Sequence, residues 1–356
     1  MNNKNQLNMF TSKESILIVD AMKMIDLNTK GILFIVNESN QLVGSMTDGD
    51  IRRWLIKTGK LNVSASDIMN QEPKYIFEVN RDDAKKYMKK NFVKALPVVD
   101  IDRHIIDVIF DEDIIIKDMT EKDMLLSDTS VIIMAGGKGT RLYPYTKILP
   151  KPLIPIGEIP IIERIINNFF NYGATEFYLT VNYKKEMIKS YFSELNTEYK
   201  IYYVEEPIPL GTAGSINLIN KKFDSPLIIT NCDILIDVDY SSVMKYHKES
   251  GNELTIVSAL KNITIPYGVL QTRENGIISS LEEKPSLSYF INTGVYIINP
   301  ELIDKIPTNE VFHMTDLVEL LMEEGFQTGV YPVSEEAFLD MGELNEMKRM
   351  EEKLSI

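Results

Sequence analysis

Short apolar runs alternate with amphipathic stretches along the last two thirds of this chain. Continuous apolar runs predict strands over 131–135, 176–182, 201–206 and 227–231. Apolar residues at helical spacing predict helices over 161–170, 184–195 and 213–223. This alternation predicts an α/β fold built on a mostly parallel mixed sheet that is covered on both faces. Ligands of such Rossmann-like sheets bind beyond the carboxyl ends of the strands.

The first third of the chain contains an internal repeat. Residues 31–51 align without gaps on residues 94–114, a shift of 63 positions (94 − 31). Val36 matches Val99 and Asp50 matches Asp113, and each copy predicts helix, strand, turn, strand and helix. We expect an α+β module at 1–125, with repeats at about 8–62 and 71–122, followed by a second domain at 129–356.

Composition narrows the class of protein and of partner. The chain has 356 residues, 44% hydrophobic and 25% charged, which is ordinary for globular domains. A net charge of −14 argues against a nucleic-acid partner. No apolar stretch has the length of a membrane span, and the polar first residues lack a signal-peptide core. With Cys232 as the one cysteine, we expect a cytoplasmic protein without a membrane partner.

The first predicted strand after residue 130 opens into a glycine-rich turn at 136–140. Free backbone N–H groups in such a turn bind phosphate, and Arg141 and Lys151 add two positive charges nearby. Walker A spacing is absent, and Leu142 stands where a dinucleotide fingerprint needs its third glycine. An ordinary turn that closes a strand is the alternative, but it leaves the ordered Thr-Arg and Pro-Lys-Pro positions unexplained.

This segment resembles the signature of the sugar-1-phosphate nucleotidyltransferases, and the likeness extends over about residues 129–350. The resemblance implies a GT-A-like domain that binds an NTP and a sugar-1-phosphate. It implies that Arg141 supports the departing pyrophosphate and that Lys151 contacts phosphates at the reacting centre, with Asp233 as the third catalytic residue. The nucleotide-binding residues that it implies are Ala135, Gly136, Gly137, Gly139, Thr140, Leu210, Gly211, Thr212 and Ala213.

Two aspartates are candidates for holding Mg²⁺. Asp233 follows a buried strand, where a carboxylate is well placed for a hard cation, although residue preference alone favours a turn or helix cap. The resemblance implies that Asp233 and Asp340, in the late segment 338–342, bind the same ion. Asp237 and Asp239 are nearby acidic competitors, which we expect on a solvated loop.

The choice of substrates rests on weaker signals. The string at 210–214 resembles the Leu-Gly-Thr-Ala-Gly of guanylyltransferases, so GTP is favoured, and UTP, CTP and dTTP stay open. A non-catalytic, nucleotide-sensing subunit is the other alternative, although Arg141, Lys151 and both aspartates are present. The sugar-phosphate residues that the resemblance implies are Gly268, Glu283 and Lys284, after a hairpin, and Asn292, Thr293 and Gly294, at the start of the next strand.

The repeated module resembles a CBS-domain pair over about residues 8–122. The resemblance implies that Thr47 and Asp50 contact an adenine nucleotide, whereas Asp107 and Phe110 depart from that pattern in the second copy. A packing or dimerisation module that binds no ligand is the alternative. The order of the two domains resembles enzymes that make GDP-glucosamine for bacterial legionaminic-type sugars, and we expect a homo-oligomer.

Overall fold

The computed structural model describes residues 7–77, 84, 86–88, 93–110, 126–342 and 344–354. Asp111, Asp113 and the last predicted helix of the second repeat lie outside these ranges. The chain forms two compact units, the first made of 1–121, 259–291 and 332–336, and the second of 122–258, 292–331 and 337–356. The division of the chain into domains at 1–125 and 129–356 stays a prediction.

Each of the two repeats forms its own three-stranded sheet, and the two sheets have the same strand order. Strands β1 to β3 span Thr11–Lys13, Ile32–Val36 and Leu42–Thr47, and strands β4 to β6 span Ile76–Phe77, Ala95–Val99 and Ile105–Phe110. The first two strands of each sheet are parallel and the last two antiparallel. Both antiparallel pairs shift register at the same repeat position, after Ile35 and after Val98. The helices of the first copy are α1 (Ile18–Asn28) and α2 (Asp48–Thr58).

Equivalent turns join the two copies. The Gln41 amide donates to the carbonyl of Asp102 at 2.9 Å. At the matching repeat position, Nε2 of His104 lies 3.1 Å from the carbonyl oxygen of Ser39. Hydrogen bonding to the Asp100 carboxylate raises the pKa of His104. The pair of repeats is therefore held by near-symmetric contacts.

The rest of the described chain contains thirteen strands and six α-helices. Strands β7 to β19 are Ser130–Met134, Pro155–Ile156, Ile159–Pro160, Glu176–Val181, Lys200–Glu205, Leu227–Asn231, Ile234–Ile236, Leu254–Thr264, Gly268–Thr272, Ile278–Glu283, Ser286–Ile298, Thr328–Ser334 and Phe338–Asp340. Helices α3 to α8 are Tyr145–Ile148, Ile161–Phe170, Lys185–Ser193, Tyr240–Ser250, Met314–Glu323 and Leu344–Lys353.

Seven of these strands form one sheet, in the order β11-β10-β7-β12-β17-β14-β18. Strands β7, β10, β11 and β12 pair in parallel, and β17 is antiparallel to β12. This arrangement confirms the mostly parallel α/β class.

One predicted helix is wrong. Residues 213–223 form only a short 3₁₀ helix, Gly214–Leu218. The backbone N–H groups of Ala213 and Gly214 donate to the carbonyl of Phe312, at 2.9 and 3.1 Å, so a segment distant in sequence fixes the backbone here. Across the described ranges, no helix is long and apolar enough to cross a lipid bilayer.

We expect the core beneath the central strands to dominate the stability of the second unit. Ile132, on β7, has no exposed surface and packs in the core cluster. Ile132→Ala should lower the free energy of unfolding by about 3 kcal/mol, through lost burial and a residual cavity. Ile148→Ala is the matched control, because its side chain is 74% exposed, and it should cost less than about 0.5 kcal/mol. Equal shifts in denaturant midpoint for the two variants would contradict this assignment of the core.

Candidate active site

The glycine turn after β7 is shaped by close contacts that exclude larger residues. A Cβ on Gly136 would lie 2.9 Å from both carboxylate oxygens of Glu206. Gly139 has φ +61°, and a Cβ there would lie 2.9 Å from Cβ of Lys151. The buried hydroxyl of Thr146 donates to the carbonyl of Gly139 at 2.9 Å and fixes the turn from below. The turn therefore leaves its outer face open to a ligand.

The turn forms one wall of a cavity of about 410 Å³. Most residues predicted to bind the nucleotide or act in catalysis line it, namely Gly136, Gly137, Gly139, Thr140, Arg141, Lys151, Gly211, Thr212 and Asp233. Ala135 is buried behind the turn, with its N–H bonded to the carbonyl of Thr180 at 2.9 Å. Leu210 and Ala213 are also buried, so these apolar side chains support the cavity from outside its lining.

Lys151 and Asp233 form an ion pair at the floor of this cavity. Both side chains are only 12% exposed, so the pair lies in a region where charges interact strongly. Cys232 precedes the aspartate and is buried, and burial raises the pKa of its thiol to about 12. It therefore stays protonated and acts as a packing residue.

The second predicted metal ligand comes to the same place from far along the chain. Strand β19 pairs with β13 so that Asp340 lies opposite Ile234, and the N–H of Met341 donates to the carbonyl of Asp233 at 2.9 Å. Burial and the negative charge of Asp233 raise the pKa of Asp340, while Lys151 and Arg141 oppose this rise. The structure thus brings together Arg141, Lys151, Asp233 and Asp340.

These two aspartates fit a divalent cation. Oδ1 of Asp340 is buried and has no hydrogen-bond partner within the described part of the chain. No group of three or more metal-binding side chains occurs among the residues described. Mg²⁺ commonly takes one or two carboxylates and completes its shell with water and phosphate oxygens, so two aspartates are sufficient. The nearby competitor Asp239 instead caps α6 by accepting from the N–H of Ser241 at 3.0 Å.

The loop at 210–214, which is predicted to bind the base, is hydrogen-bonded to residues 312–314 at the start of α7. The hydroxyl of Thr212 accepts from the N–H of Met314 at 3.0 Å, and the N–H of Phe312 donates to Leu210 at 2.9 Å. Gly211 has φ +82°, and a Cβ there would lie 2.5 Å from the carbonyl oxygen of Phe312. This position requires glycine, and the close packing gives the loop one fixed conformation.

Glu206 lines the cavity and was not expected from the sequence. Its side chain is buried, and burial raises the pKa of its carboxyl, opposed by the hydroxyls of Ser215 and Thr180 and the N–H of Leu210. The signal that identifies it is strand alternation. Buried Val204 predicts that Glu206 points inward and that Glu205 points to solvent.

The residues predicted to bind the sugar phosphate fall in two places. Gly268, Glu283 and Lys284 lie on the β15–β16 hairpin of the first unit, where Gly268 is opposite Glu283. Asn292, Thr293 and Gly294 belong to the second unit and lie within β17, not at the start of a strand as expected. The hydroxyl of Thr293 donates to the carbonyl of Val257, on the neighbouring strand β14, at 2.6 Å.

Gly294 connects this second set to the cavity. It has φ +82°, and a Cβ there would lie 2.4 Å from Nδ2 of Asn231, a cavity-lining residue. The sugar-phosphate role of both sets stays a prediction.

The two residues predicted to contact an adenine nucleotide bond to each other. Asp50 accepts from the N–H and the hydroxyl of Thr47, at 2.9 and 2.7 Å, in a capping box at the start of α2. A Cβ on Gly44 would lie 2.4 Å from Sδ of Met69, which packs against this glycine. The ligand-binding role of Thr47 and Asp50 stays a prediction.

A glycine-rich turn and two neighbouring aspartates at the carboxyl edge of a mostly parallel sheet are typical of the α/β nucleotide-binding class. The sequence agrees with this class. Residues 130–355 match the Nucleotidyl transferase family, and residues 65–119 match the CBS domain. The chain belongs to the nucleotidyl transferase family and also carries a CBS domain.

Known proteins similar to the chain act on different nucleotides. A mannose-1-phosphate guanyltransferase of Debaryomyces hansenii is 38% identical over 49% of this chain and 51% of its own. A UTP–glucose-1-phosphate uridylyltransferase of Synechocystis is 34% identical over 54% of this chain and 55% of its own. The chain thus spans about half the length of these curated relatives. The crystal structure of HddC from Yersinia pseudotuberculosis aligns with a TM-score of 0.51 and 25% identity, over 64% of this chain and 99% of HddC.

Lys151 is the residue whose removal tests the site most directly. Lys151→Ala should lower turnover by about a hundredfold to a thousandfold, because the cavity loses a buried positive charge that would offset the charge of bound phosphates. Lys147→Ala removes an exposed lysine of the same segment and serves as the control. Pyrophosphate release and circular dichroism would be measured together. A folded Lys151→Ala variant with near-normal turnover would remove this lysine from the chemistry.

Proposed function

We propose that the protein is a Mg²⁺-dependent sugar-1-phosphate nucleotidyltransferase. The observation that carries this proposal is that the glycine turn and the Lys151–Asp233 pair line one cavity, and that Asp340 lies close enough to Asp233 for the two carboxylates to interact. In the reaction, a phosphate oxygen of the sugar-1-phosphate attacks the α-phosphorus of the NTP. The bond between the α-phosphorus and its bridging oxygen breaks, and pyrophosphate leaves with that electron pair.

The attacking phosphate is already an anion, so the reaction needs no general base. Its difficulty is the approach of two anions, which fixed positive groups must offset. N–H groups of the 136–140 turn and the Arg141 guanidinium hold the departing pyrophosphate, and Lys151 neutralises charge where the two substrates meet. Mg²⁺ held by Asp233 and Asp340 would supply further positive charge at the phosphates when bound.

GTP is the nucleotide that we propose. A guanine presents N1–H and N2–H donors side by side, and a carboxylate offers two acceptor oxygens at matching spacing. Glu206 is a buried carboxylate on the wall of the cavity, and a carboxylate shielded from water accepts strongly from paired N–H donors. The likeness of 210–214 to guanylyltransferases and the mannose-1-phosphate guanyltransferase relatives point the same way. The uridylyltransferase relative keeps UTP as the main competitor.

We further propose a hexose- or hexosamine-1-phosphate as acceptor, with GDP-glucosamine for legionaminic-type surface sugars as the product suggested by domain order. The N-terminal module would then bind an adenine nucleotide or assemble a homo-oligomer in the cytoplasm. A regulatory subunit without catalysis is the alternative. It is disfavoured because Arg141, Lys151, Asp233 and Asp340 are all in place.

Pyrophosphate release across GTP, UTP, CTP and dTTP, each with several sugar-1-phosphates, tests this function. The wild-type chain should favour GTP, and Glu206→Gln should reduce its preference for GTP over UTP by about tenfold or more, because one acceptor becomes a donor. Glu205→Gln is a matched control, since the adjacent Glu205 is exposed and pairs with Lys185 and Lys189.

Each outcome separates one part of the proposal. No release with any NTP would favour the regulatory alternative. Release with a Glu206→Gln variant that keeps the wild-type nucleotide preference would remove Glu206 from base selection and leave the reaction class intact.

A further inference from the structure

The connection between β10 and α5 contacts the glycine turn and the short helix that follows it. Residues 182–184 form this connection. Residues 136–148, which we term the turn segment, contain the glycine turn, Arg141 and α3. Both stretches belong to the second compact unit, so all contacts between them lie within one unit. These contacts therefore bear directly on the shape of the cavity wall.

Lys184 caps the C-terminal end of α3. Its Nζ donates to the carbonyl of Lys147 at 2.5 Å and to the carbonyl of Ile148 at 2.7 Å. The last carbonyls of a helix have no partner within the helix, and they form the negative end of its dipole. An ammonium group at this point satisfies two such carbonyls and offsets their negative charge.

The backbone of Lys184 has a conformation that lysine rarely adopts. Its φ is 52° and its ψ is 35°, in the left-handed region. Outside glycine this region carries a conformational cost, and such residues persist where surrounding contacts determine them. The ammonium of Lys184 also lies 5.3 Å from the centre of the Tyr183 ring. Contacts of the side chain thus help to offset the cost of the backbone.

Tyr183 extends the connection's contacts to both ends of the glycine turn. Its N–H donates to the carbonyl of Gly136 at 3.4 Å, and its hydroxyl donates to the carbonyl of Thr146 at 3.2 Å. Thr146 has no exposed surface, and its own hydroxyl donates to the carbonyl of Gly139 at 2.9 Å. The connection therefore reaches Gly136 directly and Gly139 through Thr146.

All four of these contacts hold carbonyl groups of the turn segment. Carbonyl oxygens carry partial negative charge and repel phosphate, whereas N–H groups attract it. Bonding the carbonyls to the connection leaves the N–H groups of the turn for an anion. Within the described part of the chain, hydrogen bonds from outside the turn segment reach residues 141–149 only from Tyr183 and Lys184.

We propose that Lys184 is a positioning residue that holds the turn segment in the shape that binds phosphate. The inference rests on the proposed function, because that function assigns the phosphates of the NTP to this turn. Groups that bind a reacting anion must be fixed before it arrives, and a misplacement of about 1 Å can cost about a hundredfold in rate. Removing the bonds from Lys184 releases the end of α3 and loosens the support of Gly139 through Thr146.

Adjacent lysines give a matched comparison. Lys184→Met removes both bonds to α3, whereas Lys185→Met removes an equal charge whose ammonium pairs with Glu205. Binding of inorganic pyrophosphate in the presence of Mg²⁺ is measured by calorimetry on the full chain, because this ligand tests the turn without a base or a sugar. Lys184→Met should weaken pyrophosphate binding by about tenfold. Lys185→Met should weaken it by less than about twofold, since salt screens exposed charges.

Two further variants separate positioning from folding. Lys184→Gly adopts a positive φ without strain, so it should unfold at the denaturant concentration of wild type or above, yet bind pyrophosphate as weakly as Lys184→Met. Lys184→Arg keeps several N–H donors for the two carbonyls and should restore most of the affinity. A Lys184→Met variant that matches Lys185→Met, a folded Lys184→Gly with wild-type affinity, or a loss in Lys184→Arg as large as in Lys184→Met overturns the proposal.

The behaviour of the wild-type chain separates this inference from the proposed function. If the wild type releases pyrophosphate from an NTP and binds it, while Lys184→Met does both equally well, the positioning role alone fails. If the wild type neither releases pyrophosphate from any NTP nor binds it, the proposed function fails, and the inference fails with it.

Discussion

Repulsion between negative charges is the constraint on which this site depends. Asp233 and Asp340 approach each other in a largely buried region, where one carboxylate raises the pKa of the other. The substrates that we propose add further phosphate charge. Lys151, paired with Asp233 in this structure, offsets part of that repulsion. Any anion that binds here would therefore depend on the positive charge that Lys151 fixes at the floor of the cavity.

The positive charge that an anion site requires must be supplied locally, because the net charge of −14 of the whole chain opposes anion binding. The parallel sheet collects the required groups at one edge, where the glycine turn follows β7 and Asp233 follows β12. Backbone N–H groups contribute positive potential without adding a side chain, which is why the turn is rich in glycine. Glu206 behind Gly136 is the exception. A buried carboxylate there is consistent with selection of a base that carries adjacent donors.

The two copies in the N-terminal module have the same fold but different surroundings. The two copies share strand order, register and bulge position, so their common fold follows from common sequence pattern. Their surroundings differ, because the first copy shares its core with Leu260 and its helices hold residues 332–335.

Local sequence was sufficient for the central strands, the helix at 161–170, the repeat and the glycine turn, because each depends on periodicity or on short-range backbone geometry. It was insufficient at 213–223, where hydrogen bonds to the carbonyl of Phe312, distant in sequence, fix the backbone of Ala213 and Gly214. It also placed residues 292–294 at the start of a strand, although β17 spans Ser286–Ile298 and contains them in its interior. Which carboxylate meets Asp233, and which glutamate faces the cavity, depend on contacts between remote segments. Tertiary structure alone decides those, because burial and pairing are properties of the packed chain.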